Sequence, residues 1–382
     1  MLKIESNAIF VKGALIGNNL EYKENVKFIL EKGIIKDIIF NSDQKDVEES
    51  NIFQKEILLP GFINSHTHIG DYGGLDRAWN KTLEESVGTN GLKYKYMSSP
   101  EIKNIINDGF QLLNKFGVFG FIDFREQGRI GAKLLNEIHS LHENIELRLM
   151  ARPESRSESE IKEEITFLTN NGYDIGLNRP YDFDNNSLKV IRKICSKNNK
   201  FLGVHLAEDK NLDKISKEKY NQTDFSRAIN YLKPNFIVHA TNLTRKQWTL
   251  LPDETLAILC PRSNFYFSAG ISPIKYCLNH EIKFALGTDN FMAINPSPIQ
   301  ELQYSIWTNR LNTDYQNFIN LLKSITTTPA KFFKFKIGIL DIGKKMCANL
   351  FDNSFSEFKH SEWWNNIIFR ANNYHFTPIS TI

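Results

Sequence analysis

Between residues 59 and 334 the chain repeats one alternation: a short apolar run, then a longer stretch with helical spacing of its apolar positions. The runs are LLPGFINSH, VFGFIDF, ELRLMAR, YDIGLN, FLGVHLAE, NFIVHAT, TLAILCP and KFALGTD. Eight strands in order, most followed by a helix such as IKNIINDGFQLLNKFG or SLKVIRKICSKNN, imply parallel pairing with right-handed crossovers. Their span fits a (β/α)8 barrel, which typically takes about 250 residues. A doubly wound open sheet is the competing architecture, but no G-x-G-x-x-G loop follows the first strand.

Both ends of the chain read differently. Residues 1–58 are short alternating strands with glycine turns, as in NAIFVKGALIGNN, and the tail repeats that character in MCANLFD, NIIFRA and YHFTPI. The spacing predicts a small β-sandwich domain from residues 1–58 plus 335–382 around a barrel domain, 59–334, with one helix near residues 316–334. The barrel's first loop, Gly70 to Met97, is long, carries Trp79, and is placed to cover a pocket or to reach a neighbouring subunit of a homo-oligomer.

Catalytic groups of such barrels lie at the C-terminal ends of the strands. His66 and His68 end the first strand at spacing i, i+2, so a strand would project both imidazoles to one face. His205 ends the fifth strand with Glu208 three residues on, His239 ends the sixth, and Asp289 ends the eighth. Any one of these has a bland reading, as a satisfied core histidine or a helix cap. Five on one rim point to a shared metal ion. Neutral imidazoles with a carboxylate suit one divalent ion, zinc first and iron second. Such an ion lowers the pKa of a coordinated water from about 16 toward about 7. Glu208 is then the candidate proton carrier. The other histidines (His139, His142, His280, His360 and His375) lie in expected helices, loops or the tail.

Bulk properties narrow the partners. Lys and Arg exceed Asp and Glu by 47 to 44, a net charge of +3, which gives no argument for nucleic acid. The H-x-E with P-C-x-x-C pattern of nucleic-acid-editing deaminases is missing. No run of eighteen apolar residues predicts a membrane span. Four scattered cysteines and no signal-like start lead to the expectation of a cytoplasmic protein acting on a small molecule.

The stretches LLPGFINSHTH, GVHLAE, IVHA, LCPRSN and LGTDN, with IGILDIGKKMCANLF near the end, resemble the amidohydrolase superfamily. The likeness is to its aminohydrolase branch of cytosine, guanine and adenosine-type deaminases and chlorohydrolases. The resemblance implies that His66, His68, His205 and Asp289 hold a single metal. It also implies that Glu208 moves protons, that His239 polarises water or substrate, and that Asp289 orients the attacking group. Binuclear relatives use a modified lysine after strand four, where YDIGLNRP has none. The charged ends of strands two and three (Asp123, Arg125, Glu126, Arg152) and Arg179 after strand four read singly as structural salt-bridge groups; together, and with Asn264 on the seventh-strand rim, they are candidate contacts to a polar or anionic substrate group. The expected activity is hydrolytic deamination of a small cyclic amidine or nucleobase-like ring. Hydrolysis of a cyclic amide or halide on the same fold is the alternative, and a non-catalytic scaffold a more distant one, since every ligand position is filled.

Overall fold

Strand pairing across the two ends of the chain builds the first of two sheets. In the computed structural model, residues 2–4, 6–45, 47–88, 90–312, 314–354 and 363–381 are described; His360 lies outside them. β1 (Leu2–Ile4), β2 (Ala8–Ile16), β3 (Glu21–Glu31), β4 (Ile34–Ile39) and β5 (Ile52–Pro60) join β15 (Cys347–Asp352) and β16 (Phe376–Thr381). They form one mixed sheet of seven strands in the order β1-β16-β15-β5-β2-β3-β4. Alternation splits its side chains between two environments. On β5, Leu58 packs with Val11, Phe28 and Ala348 in the sheet's own core, while Ile57 and Leu59 join the large core shared with the barrel helices.

The second sheet is the barrel. β6 (Phe62–His68), β7 (Val118–Arg125), β8 (Glu146–Ala151), β9 (Asp174–Leu177), β10 (Leu202–Leu206), β11 (Phe236–His239), β12 (Leu256–Leu259) and β13 (Phe284–Leu286) pair in parallel in chain order. Closure comes from β14 (Asp289–Asn290), which pairs with β6 so that Asp289 stands opposite Thr67 and Asn290 opposite His68. Asn64 and Thr288 latch this seam reciprocally, at 2.7 and 3.0 Å. At the same seam the backbones approach so closely that a Cβ on Gly287 would lie 2.6 Å from the His66 nitrogen, which leaves room only for glycine.

Inside the barrel, Phe236 and Val238 of β11 and Leu256 and Ile258 of β12 point to the axis, with Ile237 and Ala257 on the outer face. Phe236 fills the floor between Phe124 and Phe333, at ring-centroid distances of 5.9 and 5.2 Å. Phe236→Ala is expected to cost about 3–5 kcal/mol. Denaturant unfolding measures it, and a loss below about 1 kcal/mol would show that the floor collapses to fill the gap.

The tail departs from the expected pattern. NIIFRA reads as a strand but belongs to a helix, Trp363–Phe369, because Trp363, Asn366 and Ile367 bury one helical face. Trp363 sits against Phe318 and Tyr22, so tertiary packing decides between two periods in a short apolar run. The single helix expected over 316–334 is two, Tyr315–Ser324 and Thr327–Phe333.

Candidate metal centre and active site

Each residue of the constellation leaves the end of its strand toward the barrel axis. The His66 and His68 rings lie on the same side of β6, with centroids 4.9 Å apart. His66 Nε2 stands 3.2 Å from His205 Nε2 and 3.3 Å from Asp289 Oδ1, and His68 Nε2 lies 3.5 Å from that same oxygen. His239 and Asp289 both hold left-handed backbone conformations (φ 72° and 65°). Such strain costs on the order of 1–3 kcal/mol per residue and persists where the surrounding structure enforces it.

The hydrogen bonds behind the rings settle the tautomers. His68 Nδ1 faces the Phe124 carbonyl at 3.0 Å and His205 Nδ1 the Leu177 carbonyl at 2.9 Å, so both nitrogens donate. His239 Nδ1 meets Asn264 Oδ1 at 2.8 Å. Asn264 spends its amide donors on Thr241 Oγ1 and Ser272 Oγ, at 2.5 and 3.0 Å, so its oxygen must accept from the imidazole. In the neutral rings the three Nε2 atoms therefore turn lone pairs inward; at His68 burial opposes the charge, yet Glu126 and Asp289 raise that imidazole above its ordinary range. Burial holds His66 down at about 3 and His205 well below the ordinary imidazole range, so both are neutral, as metal ligation requires.

Burial works against ionisation of Asp289, yet its bond to His66 and the surrounding imidazoles hold it well below the usual carboxylate range. Its second oxygen accepts from Ser263 Oγ at 2.6 Å. Ligand atoms of His66, His68 and Asp289 lie within 4.8 Å of one another, as do those of His66, His205 and His239 and those of Glu208, His239 and Asp289. Imidazole nitrogens fixed from behind, converging on one carboxylate, are the donor set and supporting shell of a divalent metal site. Outer partners typically contribute about 10- to 100-fold in metal affinity or activity. Ser263→Ala is expected to fall in that range, measured by competition with a chromogenic chelator; unchanged affinity would make the serine incidental.

Glu208 stands slightly apart. Its Oε2 is 3.6 Å from His239 Nε2, its side chain is 23% exposed, and burial pushes its carboxyl above the ordinary range. A cavity of about 440 Å³ opens over it, lined among others by Leu83, Tyr94, Arg152, Arg179 and Phe267. The segment after β6 supplies Thr82, Leu83, Glu84, Val87 and Tyr94 of this wall, as its length led one to expect, whereas Trp79 is exposed.

The candidate substrate contacts separate. Arg152 lines the cavity, and so does Arg179, which also pairs with Asp182 at 3.2 Å. Arg125 does not: it is wholly buried, its guanidinium against Gly70 and bonded to Gln127 at 3.0 Å. Glu126 is buried behind His68, bonded to Lys93. Asn264 serves His239 rather than the cavity wall. Asp123 accepts from Thr67 and the Ile69 amide at 2.8 and 2.7 Å and so secures the end of β6. Their places at or near strand ends allowed these four groups either a substrate contact or a structural role; side-chain direction, which the sequence does not state, turns them away from the cavity. Ser263 was missed although it lies inside the CPRSN stretch, and Lys93 sits in a loop helix without any motif.

A closed parallel barrel with such a cluster at the C-terminal ends of its strands defines a metal-dependent hydrolase of the barrel type. Residues 57–374 match the model of the amidohydrolase family, and the chain belongs to that family. It is a hydrolase of carbon–nitrogen bonds. Among its relatives, protein MJ0699 of Methanocaldococcus jannaschii is 31% identical, with 87% of this chain and 88% of that one aligned. The 5'-deoxyadenosine deaminase of Methanobrevibacter smithii is 24% identical over 96% of this chain and 90% of its own. An adenosine deaminase from Xanthomonas campestris, crystallised with bound zinc, superposes with a TM-score of 0.82 at 16% identity, covering 98% and 91% of the two chains.

Proposed function

We propose that the chain is a hydrolytic deaminase of a small cyclic amidine or nucleobase-like ring, using one zinc ion held by His66, His68, His205 and Asp289. The observation that carries the reading is the place of Glu208, whose carboxylate stands 3.6 Å from His239 Nε2 at the edge of the cluster and is raised above the ordinary glutamate range by burial. The ion supplies acidification of water and polarisation of the ring's C=N bond. Glu208 does the proton work: it takes a proton from the attacking water and delivers it to the ring nitrogen. The proton left on the added oxygen then passes by way of Glu208 to the exocyclic amine, the C–N bond breaks, and ammonia leaves from a ring that now carries a carbonyl. His239, its Nδ1 pinned by Asn264, keeps Nε2 directed at the reacting group. Asp289 orients the water.

Arg152 and Arg179 on the cavity wall favour a substrate with a polar or anionic substituent beyond the ring. The cavity's volume of about 440 Å³ lies in the range for a small-molecule site. Among the described residues no helix is long and apolar enough to cross a membrane. The four cysteines are free and buried, which supports the reading of a cytoplasmic protein.

The test is ammonia release by the zinc-loaded protein. The panel runs from adenosine-type nucleosides, where the deaminase relatives point, to guanine, cytosine and pterins. Turnover of one ring class with loss of its exocyclic amine is expected. Turnover confined to cyclic amides or halogenated rings, with no ammonia formed, would replace this reading by the alternative on the same fold.

A further inference from the structure

Lys93 is an odd residue for its place. It comes from the short helix Leu92–Met97 in the segment after β6, yet it is 3% exposed. Its Nζ lies 2.5 Å from Glu126 Oε1 and 3.7 Å from Asp71 Oδ2. Neither oxygen of Asp71 has a hydrogen-bond partner, nor has Glu126 Oε2, so the lysine is the nearest neutralising charge for two buried carboxylates. The same Glu126 Oε1 stands 2.9 Å from His68 Nδ1, which it shares with the Phe124 carbonyl at 3.0 Å, and 3.4 Å from Arg152 Nη1. One oxygen thus gathers a ligand imidazole, a cavity-wall arginine and the loop lysine. Lys93 also borders the small space of about 40 Å³ that His68, His205, Glu208, His239 and Asp289 enclose.

We propose that Lys93 is a positioning residue: through Glu126 it fixes the His68 imidazole from behind and fastens the covering segment to the metal centre. The physical reason is charge balance. A buried carboxylate next to a ligand histidine keeps its place only when paired, and removal of the partner lets it shift away from the position that Lys93 holds. That shift alters the group that touches His68 Nδ1. A loop helix gains a rigid attachment at the same time, since the lysine is held at both carboxylates.

The inference rests on the metal centre proposed above, and zinc affinity separates the two. Wild type, Lys93→Met, Lys93→Arg, Glu126→Gln and the Lys93→Met/Glu126→Gln double variant are titrated with zinc against a chelator, with no substrate present. Lys95→Ala, an exposed change on the same helix, is the control. Lys93→Met is expected to weaken zinc binding about tenfold or more, with Lys93→Arg recovering most of the loss and Lys95→Ala unchanged. The double variant is expected to lose no more than the worse single one, because both act through one oxygen. The visible spectrum of the cobalt-substituted protein should shift in Lys93→Met alongside the affinity. Wild-type affinity in Lys93→Met, or losses that add in the double variant, would overturn the proposal. Should Lys93→Met not fold, Lys93→Gln carries the same comparison. Failure of the wild type to bind zinc at all would instead remove the metal centre itself.

Discussion

Glu208→Gln is expected to keep its metal and to lose a hundredfold or more in turnover, about the contribution of a positioned general acid–base. The substitution preserves volume and a hydrogen-bonding head but removes the group that accepts and returns a proton. The contacts that join His66 to His205 and Asp289, and His68 to Asp289, do not involve Glu208, which stands 3.6 Å from His239. The loss should therefore appear in kcat, with little change in metal content measured by atomic emission. Near-normal kcat would remove Glu208 from the reaction; a variant that lost its metal would make it a ligand. Because burial raises this carboxyl, the base form fills only as pH climbs above the ordinary glutamate range. The wild-type rate should accordingly rise with pH on its acid limb, and that limb should vanish in the variant.

The second large effect comes from taking away a ligand. His205→Ala should leave the protein folded but reduce bound metal from about one ion per chain to near zero, with activity below about one-thousandth. His205 is the cleanest choice because its Nδ1 is committed to the Leu177 carbonyl, which leaves Nε2, 3.2 Å from His66 Nε2, as the nitrogen that faces the cluster. Chelation of the wild-type protein should reproduce the loss, and added zinc should reverse it in the wild type alone. A variant holding its ion with wild-type affinity would mean that the histidine cluster is a packed core and not a metal site. Coherent removal of a ligand and an acid–base group, one costing metal and the other only rate, is the pattern that distinguishes this hydrolase from a scaffold that merely kept the fold.

Much of this was legible before any tertiary structure. Strand positions followed from apolar runs bounded by helical patterns, and the candidate ligand positions from the rule that barrel chemistry gathers at strand ends. His66, His68, His205, His239, Glu208 and Asp289 were all found that way, and the structure brings them together. Where side-chain direction mattered, strand position alone left the choice between substrate contact and structural role open: Arg125, Glu126 and Asn264 occupy the right ends but point behind the site. The tail shows the same limit in another form, since Trp363–Phe369 has an apolar run too short for its period to declare itself.

The sequence by itself determined the order of the strands, the barrel they close into and the donors on its rim, because periodicity and residue chemistry are local properties of the chain. Only the tertiary structure decided which nitrogen of each imidazole is free, how Asn64 meets Thr288 across 224 positions, and that a loop lysine reaches Glu126 behind His68. Those outcomes depend on how distant segments lie once the barrel has closed, and no local pattern encodes that distance.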